Sequence, residues 1–145
     1  MKKKEKKEMM EQILKIGELF EKITKEEIGI GIGKAKWFNN EERNPNFVDT
    51  YEGDLYLCIN QEEPFYVVDD NFGAGAYVFC NVDDMMENTK LNDNVFVKIC
   101  KILAEATKKE IQKNAKNKEK IKIMNGLIMK LNDVVIELGE IKSNE

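Results

Sequence analysis

Histidine is absent from this chain, and serine occurs once, as Ser143 near the C-terminus. The commonest general base and metal ligand is therefore missing. Serine–histidine and cysteine–histidine catalysis are excluded, and zinc sites of the usual cysteine–histidine type have no support. Arginine and tryptophan also occur once each, as Arg43 and Trp37. A lone arginine is a poor supply of bidentate phosphate clamps. The three cysteines, Cys58, Cys80 and Cys100, are odd in number and widely spaced, which fits reduced thiols better than a disulfide framework. No apolar run reaches the roughly 18 residues that a membrane-spanning helix needs. The opening MKKKEKKEMMEQ has no apolar leader segment. The expectation is a cytoplasmic, non-catalytic protein with no cofactor and no metal site.

What is present is charge, unevenly placed. The chain has 145 residues, 42% hydrophobic and 34% charged, with a formal net charge of −4. That length suits a single domain over 1–145. Residues 1–40 carry ten lysines and seven glutamates, and residues 96–145 carry eleven lysines and seven acids. Between them, residues 41–95 hold thirteen acids against Arg43 and Lys90, a net charge of −11.

Hydrophobic periodicity changes at nearly the same places. Ile13, Ile16, Phe20 and Ile23, widened by Met9, Met10, Leu14 and Leu19, mark an amphipathic helix that should end before Gly29. Asp54 to Asn60, Phe65 to Val68 and Ala76 to Val82 read as strands, the first two joined across Gln61-Glu62-Glu63-Pro64 as a hairpin. Gly31 to Phe38 reads as an edge strand, and Val95-Phe96-Val97 as a further strand or a helix start. Ile99, Ile102, Leu103 and Ala106 return to helical spacing. Ile121, Met124, Ile128, Leu131, Val135 and Leu138 then follow an a/d pattern whose apolar seam suits self-association. Asn125-Gly126 is a competing hairpin signal within that stretch, but the longer helical spacing is preferred. The expected architecture is α+β: an N-terminal amphipathic helix (1–28), a central antiparallel sheet of four or five strands in an acidic β-rich core (30–97), and C-terminal helices (98–141).

The stretch around Trp37 invites three readings. A Walker loop fails, because Gly33-Lys34 is followed by Ala35 and the leading glycine is Ile28. Gly33-Lys34-Ala35-Lys36-Trp37-Phe38-Asn39 resembles the first strand of cold-shock domains, G-K-V-K-W-F-N, at six of seven positions. Asn94-Val95-Phe96-Val97-Lys98 is similar to that family's D-V-F-V-H strand. The resemblance implies a small five-stranded barrel that binds single-stranded RNA or DNA. Lys34, Lys36, Trp37 and Phe38 are then the candidate nucleic-acid-binding residues. Asn40 to Phe47 does not continue in the family's K-G-[FY]-G-F pattern. The plainer reading is a sheet edge with one ring in the core.

The acids suggest a different partner. A strongly acidic surface competes for a groove built to hold a phosphate backbone. Small size, no catalytic set and a helix suited to self-association are compatible with an anti-CRISPR or other anti-defence inhibitor from a phage or mobile element. Its expected partner-binding residues are Glu62, Glu63, Asp69, Asp70, Asp83 and Asp84. Asp69-Asp70-Asn71 does not continue as a calcium loop, since Cys80 stands where the final glutamate belongs. A further alternative is a nucleotide-binding sponge, with the Phe72-Gly73-Ala74-Gly75-Ala76 loop approaching a ligand beside Tyr56, Tyr66 and Tyr77.

Overall fold

In the computed structural model the described residues are 1–39, 49–59, 62–69 and 76–145, with side chains described at all of these except 36–39, 49–52, 69 and 76–77. The element order is α1 (Lys3–Thr24), β1 (Ile28–Asn39), β2 (Asp49–Ile59), β3 (Phe65–Asp69), β4 (Ala76–Phe79), α2 (Val82–Glu87), α3 (Asn94–Lys113) and α4 (Lys118–Ser143). The α+β architecture matches the reading of the sequence, with four strands among the described residues. Three boundaries differ. The first helix stops at Thr24, with Lys25 in the left-handed region at φ 56° and its N–H donating to Glu21 O at 2.7 Å. Val82 opens a short helix instead of closing a strand. Val95-Phe96-Val97 begins α3, so the second cold-shock echo is helical.

The α1 stripe does what its spacing predicts: Met9, Met10, Ile13, Ile16 and Phe20 are buried. They meet one face of a sheet ordered β1-β2-β3-β4, antiparallel throughout. Strict alternation sorts the strands. The core side carries the row Ile30, Leu57, Phe65 and Phe79, all buried, with Leu55 and Val67 behind it. The other side carries Gly31, Tyr56, Tyr66 and Val78 in register. An odd spacing within β1 needs explaining, because Ile30, Ile32 and Ala35 all reach the core. A bulge between Gly31 and Gly33 supplies the extra residue that shifts the parity. Gly33 has φ 139°, a value open to glycine and strained for other residues.

Among the described residues the sheet is four-stranded and open, unlike the five-stranded barrel implied by the cold-shock resemblance. β1 lies at one edge, protected by α3 and the connection before it: the Lys98 ammonium of α3 donates to the Gly31 carbonyl at 2.9 Å, and Ala35 forms a bridge with Thr89 between α2 and α3.

Residues 121–141 are helical. Met124, Leu127, Leu131, Val134 and Leu138 of α4 are buried, and the helix packs on α3 and α1. The seam expected to serve self-association is thus largely spent within the chain: Met124, Leu131 and Leu138 are buried, while Ile121, Ile128 and Val135 are half-buried. The competing Asn125-Gly126 hairpin does not form: the stretch is helical, and Met124, Leu127, Leu131, Val134 and Leu138 give it one face that docks on α1 and α3.

The loop after α1 is tied to the end of α3 by Lys113, whose ammonium lies 3.3 Å from both Glu26 and Glu110. Hydrogen bonding by Glu110 and then by Lys113 holds the Glu26 carboxyl below the usual range. A depressed carboxyl pKa contributes stability above its unfolded value and loses it as pH falls through the folded one. Glu26→Gln is therefore expected to lower stability near neutrality, with the gap to wild type closing as pH falls below 4.5. Urea melts at about pH 7 and about pH 3 check this.

Candidate binding cleft and open sheet face

The Phe65–Phe79 register sets the β2–β3 turn beside the start of α2. Against that end of the sheet α1 approaches closely, because position 17 is glycine. A Cβ on Gly17 would lie 2.7 Å from Ile59 Cδ1. The result is a cleft of about 250 Å³. Its floor is apolar, from Leu14, Ile59, Phe65 and Val82, and Glu18 and Glu62 stand among its lining residues. Cys58 and Cys80 also line it, and both are free thiols, the first buried and the second exposed.

The acids singled out in the sequence divide between two ends of the sheet. Glu62 and Glu63 are exposed in the β2–β3 turn, and Asp83 and Asp84 lie at the same end of the sheet in α2. Asp69 lies at the far end of β3, paired in register with Gly53. Its side chain lies outside the described residues, as does all of Asp70. The four gathered acids are not equivalent. Asp84 builds the junction: its carboxylate accepts from the Cys80 N–H at 3.0 Å, while its own N–H donates to the Asn81 side chain at 2.8 Å. Asp83 is neutralised by Lys7 of α1 at 2.9 Å, a contact that raises the Lys7 pKa. Among the described residues Glu62 and Glu63 form no ion pair, and neither does Glu18. The uncompensated charge at this end therefore comes from the turn and from α1.

Neither Glu18 nor Gly17 was expected at a site, and Leu14 was read only as part of the apolar stripe of α1. One signal was legible. A glycine within an apolar helical stripe costs helix stability relative to alanine, about 1 kcal/mol, and so marks a close approach.

The second feature is the open face of the sheet. Tyr56 and Tyr66 stack across β2 and β3, with ring centroids 5.4 Å apart and planes 17° from parallel. They lie toward β1, where a Cβ on Gly31 would meet Tyr56 at 3.7 Å and one on Gly29 would meet the Tyr66 hydroxyl at 4.0 Å. Burial, then the adjacent Cys58 thiol, raise the Tyr66 pKa. Farther along, Lys34 is exposed and pairs with Asp54 at 2.8 Å. Lys36, Trp37 and Phe38 pair in register with Glu52, Tyr51 and Thr50, but their side chains lie outside the described residues. So do the Asn40–Phe47 stretch and residues 70–75, which include most of the glycine loop proposed for a nucleotide.

Among the described residues no group of three potential metal ligands converges, and no helix is long and apolar enough to cross a membrane. Comparison with protein-family models, curated proteins and solved structures finds no match for this chain.

Proposed function

We propose that this chain is a non-catalytic inhibitor that docks on a basic surface of a nucleic-acid-handling protein, of the anti-CRISPR or anti-defence type. The observation that supports this reading is the cleft, an apolar floor bordered by the unneutralised carboxylates of Glu18 and Glu62 with Glu63 beside them. That combination suits the side chain of a lysine or arginine, whose aliphatic stem packs on carbon while its charged head meets a carboxylate. Nucleic-acid-binding grooves present such side chains in quantity.

Fluorescence anisotropy of a labelled arginine- and lysine-rich peptide tests it. Binding should weaken with salt, and Glu62→Lys/Glu63→Lys should reduce affinity by about tenfold or more. Reversal of two acids elsewhere, Glu8→Lys/Glu105→Lys, should have a much smaller effect. Equal losses from both pairs would mean that net charge alone attracts the peptide, and the cleft would drop out of the reading.

A second reading rests on the Tyr56–Tyr66 pair: single-stranded nucleic acid stacked on the open face of the sheet. Labelled single-stranded DNA and RNA oligonucleotides distinguish it. Salt-sensitive oligonucleotide binding that is lost in Tyr66→Ala supports the sheet face and displaces the inhibitor.

A further inference from the structure

α4 is apolar around more of its circumference than the core uses. Its buried seam faces α1 and α3, yet on another face Met129 and Ile136, seven residues apart, are 66% and 60% exposed. Half-buried Ile128 and Val135 form a shoulder beside them, and exposed Asn125 and Asn132 lie on the same face, also seven apart. This spacing gives a second stripe of heptad type.

The charges of α4 run the wrong way for an isolated helix. From Lys118 to Asn132 it carries four lysines and one glutamate; from Asp133 to Ser143 it carries three acids and one lysine. A helix N-terminus favours negative charge and its C-terminus positive charge, so most of these side chains oppose the macrodipole. The exposed stripe itself repeats the polarity, with Lys118 and Lys122 at its start and Glu140 near its end.

We propose that a second copy of this chain docks on this stripe, with the two α4 helices antiparallel about a two-fold axis near Asn132. Antiparallel pairing lays the lysine-rich half of each helix beside the acidic half of the other, which a parallel pairing does not. With the axis at Asn132, Met129 packs by the partner copy's Val135 and Ile136, Asn125 faces its small Gly139, and Lys122 reaches Glu140. The asparagines at the centre of the stripe set the register, as polar residues within coiled-coil seams do. The contact is isologous, so it closes at two copies. No residue of α4 lines the cleft, so the dimer and the cleft stand or fall separately.

One helix pair of this length sits at the lower end of specific interface sizes, and the expected Kd is about 1–100 μM. Sedimentation equilibrium across that range should show a reversible dimer. Met129→Lys/Ile136→Lys changes two exposed positions, and it should leave the circular dichroism spectrum intact while weakening the dimer by at least about tenfold. Lys122→Glu should weaken association, and Lys122→Glu/Glu140→Lys should restore it. A chain that stays monomeric at the highest concentration overturns the proposal, as does a dimer unaffected by Met129→Lys/Ile136→Lys. Failure of the charge swap to restore a dimer weakened by Lys122→Glu overturns the antiparallel register.

Discussion

Gly53→Ala is expected to destabilise the fold by about 3 kcal/mol or more, a large part of what a domain of this size has to lose. Gly53 is buried in β2, paired with Ala35 on one side and Asp69 on the other. A Cβ there would overlap the Val68 carbonyl oxygen and come within 2.8 Å of Val67 Cγ1. The carbonyl belongs to the β3 backbone, so relief requires the strand to move and its pairing with β2 to distort. The control is Gly126→Ala in α4, where a Cβ meets nothing within 4 Å. There the substitution should stabilise by about 0.5–1 kcal/mol, because alanine is the better helix former. Denaturant melts of the two variants beside wild type give the contrast. Equal and small effects would mean that β2 and β3 do not pair in this register.

The second large effect separates two residues that stand two apart in the sequence. Leu131→Ala should cost about 2–5 kcal/mol, because Leu131 is 1% exposed and part of the core. Met129→Ala, measured on the monomer at low concentration, should change stability by no more than about 0.5 kcal/mol. In a strand, residues two apart share a face, and both changes would act alike. In α4 they are 200° apart, one in the core and one in solvent. The pair of variants therefore reads out helix against the hairpin that Asn125-Gly126 signals. It also separates the intramolecular seam from the face assigned to the second copy.

Much of the architecture was legible because periodicity reports burial directly. The stripe Met9, Ile13, Ile16 and Phe20 could satisfy only a helix with one covered face, and each of these residues is buried. The alternation around Leu55–Ile59 and Phe65–Val68 likewise carries the two faces of β2 and β3. Two features resisted for physical reasons. Val95-Phe96-Val97 is rich in strand-forming residues, yet it starts α3, because Phe96 continues into the helical set Ile99, Cys100 and Leu103 once those positions have a core to fill. The β1 bulge was also hidden. Its glycines permit several backbone paths, and only the need to bury both Ile32 and Ala35 selects this one.

The candidate site was less legible than the fold. Acidic pairs are visible in a sequence, but their partners are not. Lys7 neutralises Asp83 across a separation of 76 residues, and Asp84 turns its carboxylate to the Cys80 N–H. Of the six acids, only Glu62 and Glu63 are seen to remain free among the described residues, and they are joined by Glu18 from a helix read solely for its apolar face.

By itself the sequence determined the fold class, the positions of the long helices, and the absence of any histidine for serine–histidine or cysteine–histidine chemistry. These are properties of residue type and local spacing, which act over a few residues. Only the tertiary structure decided which apolar stripe of α4 is consumed by the core and which is left over, and which carboxylates have an ion-pair partner among the described residues. Both depend on side chains brought together from distant parts of the chain, where burial and ion pairing reassign roles that local pattern leaves equal.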